Sequence, residues 1–244
     1  MFDHVGIAVS DVTESERFYH TVLGVLGIEP SVVTNDVVVW DDWWIGSMDD
    51  RHGLTRGLHV GFRARDRGQV DEFWWTGLDF GYREEGAPGP TQYDPTYYSA
   101  FLLDPDGNSV QAVYREREIT VPTGCIDHLW IRVHDVHAAM RFYATIALQT
   151  GLRMTPHDPD RVQMSGMDYS FWLVRDERRR TENLHVAFTA GDDDTVRAFH
   201  AAALAGGYED NGPPGERKYH PGYYAAYVRD PDGNNVELVS HNQG

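Results

Sequence analysis

The sequence DPDGN occupies residues 104–108 and returns unchanged at residues 230–234, 126 positions later. At the same offset, LHV at residues 58–60 returns at residues 184–186. Asp-Gly-Asn provides the side chains and backbone freedom that a tight turn requires, so each copy predicts a turn between two strands. The matching offsets indicate an internal duplication, which decides the fold.

The two starts of the repeat also match. DHVGI at residues 3–7 corresponds to DHLWI at residues 127–131. We therefore predict two tandem domains, residues 1–116 and 125–244, joined by a linker at residues 117–124.

Each half contains two smaller units. A histidine opens a short β-rich run four times, and a phenylalanine follows 14 residues after each histidine. These pairs are His4 and Phe18, His59 and Phe73, His128 and Phe142, and His185 and Phe199. The apolar pattern within a unit predicts a β-α-β-β-β order. A module of this size cannot cover its own sheet face, so the four modules should pair into an α+β fold.

Local signals place the first helix and the first strands. Asp11 is a suitable N-cap, and Gly24 and Gly27 should end the helix that follows it. Trp43 and Trp44 alternate along a predicted strand, so one of the two indoles should face away from the core.

Composition limits the classes of partner. The chain has 244 residues, 41% of them apolar, with 21 basic and 38 acidic residues and a net charge of −17. Such a surface repels nucleic acid and anionic membranes, so the expected partner is a small-molecule substrate or ligand, a metal ion or another protein. We find no secretory signal pattern, no apolar run near the ~20 residues that span a bilayer, and one cysteine, Cys125. A cytoplasmic location is the expectation.

These motifs resemble the vicinal-oxygen-chelate superfamily, which includes glyoxalase I, bleomycin-resistance proteins, fosfomycin-resistance transferases and type I extradiol dioxygenases. The resemblance is carried by the Asp-His opening strand, the Phe-Tyr pair on the first helix, the histidine in the middle of each half and the DPDGN turn. It implies four βαβββ modules forming two glyoxalase/bleomycin-resistance-like domains, whose open, cupped mixed sheets surround a metal or a ligand. A homodimer is a further expectation.

The resemblance also implies metal ligands on the first and last strands of the modules. Within the C-terminal half these positions are His128, His185 and Glu237, the set that we favour. Two imidazoles and a carboxylate suit one divalent metal, with Fe(II) or Mn(II) favoured and Zn(II) or Ni(II) as further candidates.

The corresponding set in the N-terminal half is His4, His59 and Gln111, which is weaker because an amide oxygen is neutral. In some relatives the modules exchange partners. His4 would then complete the set of His185 and Glu237, and His128 would join His59 and Gln111. The sequence leaves both groupings open.

The sequence can be compared, residue by residue, with the sites of different enzymes in this superfamily. Glyoxalase-type sites use carboxylates on the last strands of two modules, but residues 43–46 and 169–174 contain no glutamate, which argues against glyoxalase I proper. Extradiol dioxygenases place a tyrosine ten residues before the glutamate ligand, and Tyr227 precedes Glu237 by ten. His220 lies near the position of another pocket histidine of that family. Tyr227 and His220 are therefore the predicted catalytic residues, with a cup-lining aromatic and a solvated loop residue as the alternative interpretations.

The sequence thus predicts a metal-dependent enzyme acting on a small oxygenated, possibly catecholic, metabolite. Ring-cleaving dioxygenation is the best single reaction, followed by an isomerase or lyase reaction that uses the same chelate. The alternative is a metal-free protein of the antibiotic-resistance type that sequesters a ligand among the aromatic residues of its cup.

Overall fold

The computed structural model describes residues 2–48, 53–91, 96–116, 124–166 and 170–242. Four modules, each with one strand, one helix and three further strands, follow one another along the chain. The elements are β1 (Phe2–Val9), α1 (Val12–Val25), β2 (Val32–Val33), β3 (Val37–Trp40), β4 (Trp43–Ser47), β5 (His59–Arg63), α2 (Arg67–Asp79), β6 (Arg83–Pro90), β7 (Tyr97–Leu103), β8 (Ser109–Arg115), β9 (Ile126–Arg132), α3 (Val136–Thr150), β10 (Arg153–Asp158), β11 (Arg161–Ser165), β12 (Ser170–Val174), β13 (His185–Thr189), α4 (Asp193–Ala205), β14 (Asp210–Glu216), β15 (Tyr223–Arg229) and β16 (Asn235–His241).

The strands form two open, mixed, eight-stranded sheets. The first sheet has the order β14-β15-β16-β13-β1-β4-β3-β2, and the second has the order β10-β11-β12-β9-β5-β8-β7-β6. The predicted α+β class with four βαβββ modules is therefore confirmed. The predicted linker at residues 117–124 falls outside the described residues except for Gly124, and the division into 1–116 and 125–244 stays a prediction.

The modules pair across the two halves of the sequence. In the first sheet, β1 of the first module lies antiparallel to β13 of the fourth module. In the second sheet, β5 of the second module lies antiparallel to β9 of the third. Each sheet therefore contains one module from each half, and this exchange decides which histidines meet.

Each helix begins directly after an aspartate that acts as its N-cap, and these aspartates are Asp11, Asp66, Asp135 and Asp192. The Asp11 carboxylate accepts a hydrogen bond from the backbone N–H of Glu14 at 3.0 Å, as the sequence predicted. The four phenylalanines at the repeated 14-residue spacing are all fully buried between helix and sheet. Within the described residues, no helix has the length and apolar character needed to cross a membrane.

The DPDGN turns hold the sheets together. Asp104 accepts hydrogen bonds from the backbone N–H and the side-chain amide of Asn108, at 2.7 and 3.0 Å. The side-chain Oδ1 of Asn108 then accepts from the backbone N–H of Leu58, which directly precedes His59. Asp230 and Asn234 repeat these bonds, and Asn234 accepts from the N–H of Leu184 at 3.0 Å. The motif thus fixes the position where each strand that begins with a histidine starts.

Candidate metal centre

Three predicted ligands meet on one face of the first sheet. His4 comes from β1, His185 from β13 and Glu237 from β16, and one ligand atom of each lies within 4.8 Å of the other two. Successive residues of a strand face opposite sides of its sheet, so His4 lies on the face opposite Val5, which is fully buried in the core. The core thus fixes which side chains of β1 point to the other face of the first sheet. We call this face the first cup, and the corresponding face of the second sheet the second cup.

The distances between these ligand atoms match a single metal ion. His4 Nε2 lies 3.1 Å from His185 Nε2, and Glu237 Oε2 lies 2.9 Å from His185 Nε2 and 3.4 Å from His4 Nε2. Two ligands bound at ~2.1 Å and at a right angle to each other lie ~3.0 Å apart. The triangle therefore fits one octahedral face around a divalent cation, and the opposite face is left for other ligands.

A carboxylate orients the first histidine. His4 Nδ1 donates to Asp3 Oδ1 at 2.8 Å, so the Nε2 of the neutral ring directs its lone pair toward the other two ligands. Burial favours the neutral imidazole, but the hydrogen bonds to Asp3 and Glu237 outweigh it and raise the pKa of His4 to about 9. A metal would have to displace this proton.

The other two ligands are also held by neighbours. Asn235 Nδ2 lies 2.8 Å from His185 Nδ1, and the Tyr223 hydroxyl donates to Glu237 Oε1 at 2.7 Å. Burial would raise the pKa of the Glu237 carboxyl, but its contacts with His185 and His4 lower it well below the usual range. The carboxylate is therefore ionised and ready to bind a cation.

The structure groups the histidines differently from the favoured sequence interpretation. We expected His128 to join His185 and Glu237, but His128 lies in the second sheet, because β9 pairs with β5 and not with β13. His4 takes that place, which is the exchanged grouping that the sequence left open. The roles of all these side chains as metal ligands stay predictions.

The remaining predicted ligands form a second cluster. His59 Nε2 lies 3.0 Å from Gln111 Oε1 and 3.3 Å from His128 Nε2, and all three side chains are buried. Burial, followed by the neighbouring His128, lowers the pKa of His59 well below its usual range. His128 Nδ1 contacts Asp127 Oδ1 at 2.7 Å, as His4 contacts its own aspartate. The cluster repeats the first geometry with a neutral amide in place of the carboxylate.

The two predicted catalytic residues have different neighbours around the triad, the name used here for His4, His185 and Glu237. Tyr227 stands directly opposite Glu237 in the β15–β16 pair, and its ring centroid is 6.3 Å from that of His185. Burial and the charge of Glu237 raise the pKa of Tyr227, so its hydroxyl is protonated at neutral pH. His220 lies on the turn before β15 and hydrogen-bonds His241 at 2.9 Å.

Sequence reasoning missed three residues of this centre. Asp3, Tyr223 and His241 contact a ligand or its partner, and His241 Nε2 lies 2.7 Å from Asp3 Oδ2. A chain of contacts thus runs from His4 through Asp3 and His241 to His220. The Asp-His dipeptide, which occurs at the start of both halves, was the signal that could have identified Asp3.

The two sheets differ in how far their cups are filled. A shallow cleft lies beside His185 and is lined by Gly6, Ala8 and Trp44. Gly6 and Ala8 follow His4 on the same face of β1. In β9 the residues at the same distances after His128 are Trp130 and Arg132, which are far larger. The first cup therefore has smaller side chains on this strand, and the Trp44 indole lies over Gly6.

An indole stands where a fourth ligand would be expected. Trp44 pairs with Gly6, two residues after His4, just as Glu237 pairs with Ala187, two residues after His185. By this pseudo-symmetry, Trp44 occupies the position equivalent to the glutamate. Trp43 is buried in the core and Trp44 lines the cleft, which confirms the prediction that one of the two indoles faces away from the core. The site offers three protein ligands and one aromatic wall.

Comparison with known proteins identifies the fold. The family model described as the Glyoxalase/Bleomycin resistance protein/Dioxygenase superfamily matches residues 1–112 and again residues 125–238. Glyoxalase I from Zea mays is 18% identical with a TM-score of 0.71, over 98% of this chain and 92% of that chain. A putative dioxygenase from Bacillus subtilis is 15% identical with a TM-score of 0.68, over 100% of this chain and 86% of that chain. No curated protein matches the chain. At these identities the structural likeness concerns the fold.

Proposed function

Because the chain belongs to the Glyoxalase/Bleomycin resistance protein/Dioxygenase superfamily, we propose that it is a divalent-metal-dependent enzyme whose metal is bound by His4, His185 and Glu237. Its substrate is a small molecule with two vicinal oxygens, and ring-cleaving dioxygenation of a catechol is the reaction that we favour. The observation that carries the proposal is the triangle of ligand atoms with sides of 2.9, 3.1 and 3.4 Å.

The number of ligands supports a dioxygenase over a glyoxalase I reaction. Two histidines and one carboxylate on one face form the ligand set of many non-haem Fe(II) oxygenases, which leaves positions for substrate and oxygen. Trp44 replaces a fourth protein ligand, so these positions stay available. Fe(II) or Mn(II) is therefore favoured over Zn(II) or Ni(II), and an isomerase or lyase reaction is the next choice.

The protein residues have separable roles in this proposal. A bound divalent ion would polarise the two substrate oxygens and stabilise negative charge on them. Tyr227 remains protonated and can donate a hydrogen bond to one of those oxygens. Tyr223 holds Glu237, and Asp3 holds His4, so the ligands keep their orientation when the substrate enters.

His220 fits a role in proton exchange with solvent. It is exposed on the turn before β15, and His241 and Asp3 connect it to His4. An exposed imidazole can accept a proton released from the substrate and pass it to water. His220 acts at the edge of the site in this proposal and does not contact the metal ligands.

Metal content is the decisive measurement. After anaerobic purification, elemental analysis should find about one Fe or Mn per wild-type chain and a large loss in Glu237→Gln, which removes the anionic ligand. Gln111→Leu is the matched control, because it alters the corresponding residue of the second cup. It should leave the metal content unchanged. Oxygen uptake with a panel of catechols then tests the reaction.

The possible results separate the alternatives. Metal binding without oxygen uptake would direct attention to isomerase or lyase reactions of the same chelate. A second equivalent of metal that is lost in Gln111→Leu would assign metal binding to the second cup as well. Failure to bind metal after reconstitution would refute the enzyme proposal and leave a ligand-sequestering protein. Light scattering in the same preparations tests the predicted homodimer.

A further inference from the structure

The cleft beside His185 has a polar end that the metal proposal does not use. Arg229, Asn211 and Asn235 line it there, opposite the wall formed by Trp44. Arg229 lies two residues after Tyr227 on β15 and pairs with Asn235 on β16. Because alternate residues of a strand share a face, the guanidinium lies on the same face of the sheet as Tyr227.

The second cup has no cation at the position that corresponds to Arg229. At the repeat offset of 126 residues, Leu103 occupies the position of Arg229, and Glu85 occupies the position of Asn211. Glu85 is neutralised within the second cup by Arg178, whose Nη1 donates to it at 2.8 Å. At these two positions the first cup therefore carries a cation and an amide, and the second cup carries an apolar residue and an acid.

Arg229 retains donors for a ligand. Its Nη1 donates to the Gly233 carbonyl at 2.8 Å, and its Nε lies 3.7 Å from the carboxylate of Glu209, beyond hydrogen-bond length. The Glu209 side chain is 72% exposed, so water screens this ion pair. A guanidinium has five N–H donors in a planar fork that matches a carboxylate.

The negative net charge of the molecule makes the position of Arg229 in the cleft informative. A chain with a net charge of −17 repels anions at long range. A neutral substrate would need no arginine in the cleft. An anionic substrate would require local positive charge to be held there.

We propose that the substrate carries a carboxylate, and that Arg229, assisted by the side-chain amide of Asn211, binds it. The substrate is then a small planar molecule with two vicinal oxygens directed at the triad and an acid group directed at Arg229, and its ring lies against Trp44. The part concerning the vicinal oxygens rests on the proposed metal-dependent function. The acid subsite stands on the cleft and its arginine.

Calorimetric titration under anaerobic conditions tests the subsite with two probes. The Zn(II)-loaded protein is titrated with 3,4-dihydroxybenzoate and with 4-methylcatechol, which differ mainly in the acid group. Since hydrogen bonds to charged groups are strong, wild type should bind the acid probe at least about tenfold more tightly. Arg229→Leu introduces the residue of the other cup and should abolish this preference. Arg229→Lys should restore part of it.

The control removes the same charge from the helix of the same module. Arg197 on α4 is engaged with Asp194 and Tyr224, and Arg197→Leu should keep the preference for the acid probe. Equal affinity of wild type for both probes, or a preference that survives Arg229→Leu, would overturn the subsite.

The metal-free protein separates the two proposals. If 4-methylcatechol needs Zn(II) but the acid group adds nothing, the subsite is wrong and the chelate proposal stands. If the acid probe binds equally with and without Zn(II), and Arg229→Leu weakens it in both states, the subsite is supported and the chelate proposal is wrong. If neither probe binds in either state, both proposals are refuted.

Discussion

Gly6→Ala should deform the cup through one aromatic contact. A Cβ placed on Gly6 would lie 1.9, 2.2 and 2.4 Å from three ring atoms of Trp44. Carbon atoms in contact prefer a separation of about 3.5–4.0 Å, so the indole must retreat by roughly 1.5 Å. The backbone cannot yield easily, because Gly6 pairs with His185 on one side and with Trp44 on the other. The indole should therefore move into the cleft.

The expected cost is that of overpacking, about 1–3 kcal/mol in the free energy of unfolding measured by urea denaturation. A displaced indole also occupies the volume that a ligand needs, so the affinity for 4-methylcatechol on the Zn(II)-loaded protein should fall. Gly24→Ala is the control. It lies in α1, and the nearest atom to its Cβ would be Glu29 Oε1 at 3.8 Å. Alanine in a helix should leave stability unchanged or raise it by up to about 1 kcal/mol.

A double-mutant cycle identifies the contact responsible. In a Trp44→Ala background the clash has no partner, so Gly6→Ala should cost less than about 0.5 kcal/mol there. The coupling between the two substitutions should therefore be at least about 1 kcal/mol. An equal cost of Gly6→Ala in both backgrounds would refute the reasoning that Gly6 is small in order to seat Trp44.

Three further predictions concern the ligands. Asp3→Asn weakens the partner that orients His4 and should lower Zn(II) affinity about 10–100-fold in a competition titration, whereas Asp127→Asn in the other cup should not. In the metal-free protein, protonated His4 stabilises the fold, since its pKa is raised from 6.5 to about 9. The free energy of unfolding should therefore fall by about 3 kcal/mol as the pH rises from 6.5 through 9, and saturating Zn(II) should remove this fall. Tyr223→Phe leaves Glu237 Oε1 buried without its hydrogen bond and should cost about 1–3 kcal/mol in urea denaturation of the metal-free protein, while an unchanged midpoint would contradict that role.

The fold class and the order of helices and strands could be predicted from the sequence, because the repeated residues occupy fixed positions in each module. The DPDGN turns, the N-cap Asp11 and the buried phenylalanines each have a local function that fixes them at a definite point of the module. These interactions span few residues or one helix–sheet contact, so their spacing is visible along the chain. The α+β class and the order of elements follow from them.

The grouping of the ligands could not be predicted in the same way. Every module begins with an equivalent histidine, so pairing within a half and pairing across halves both bring two histidines together. The choice depends on whether β13 lies beside β1 or beside β9, which is a long-range contact between similar strands. Tyr223 was missed for a related reason, since its bond to Glu237 exists only once β15 and β16 are in register.

The differences between the two halves are therefore more informative about function than the matches. The residues that are identical in both copies form turns, helix caps and core contacts, and both sheets need these equally. Residues that face the cups have changed, with Glu237 in one against Gln111 in the other, and Gly6 in one against Trp130 in the other. Since both cups share one frame, the change in charge and volume reflects what each cup must accommodate. The cup that combines Glu237, the cleft beside His185 and Arg229 is therefore the one in which we propose that a ligand binds.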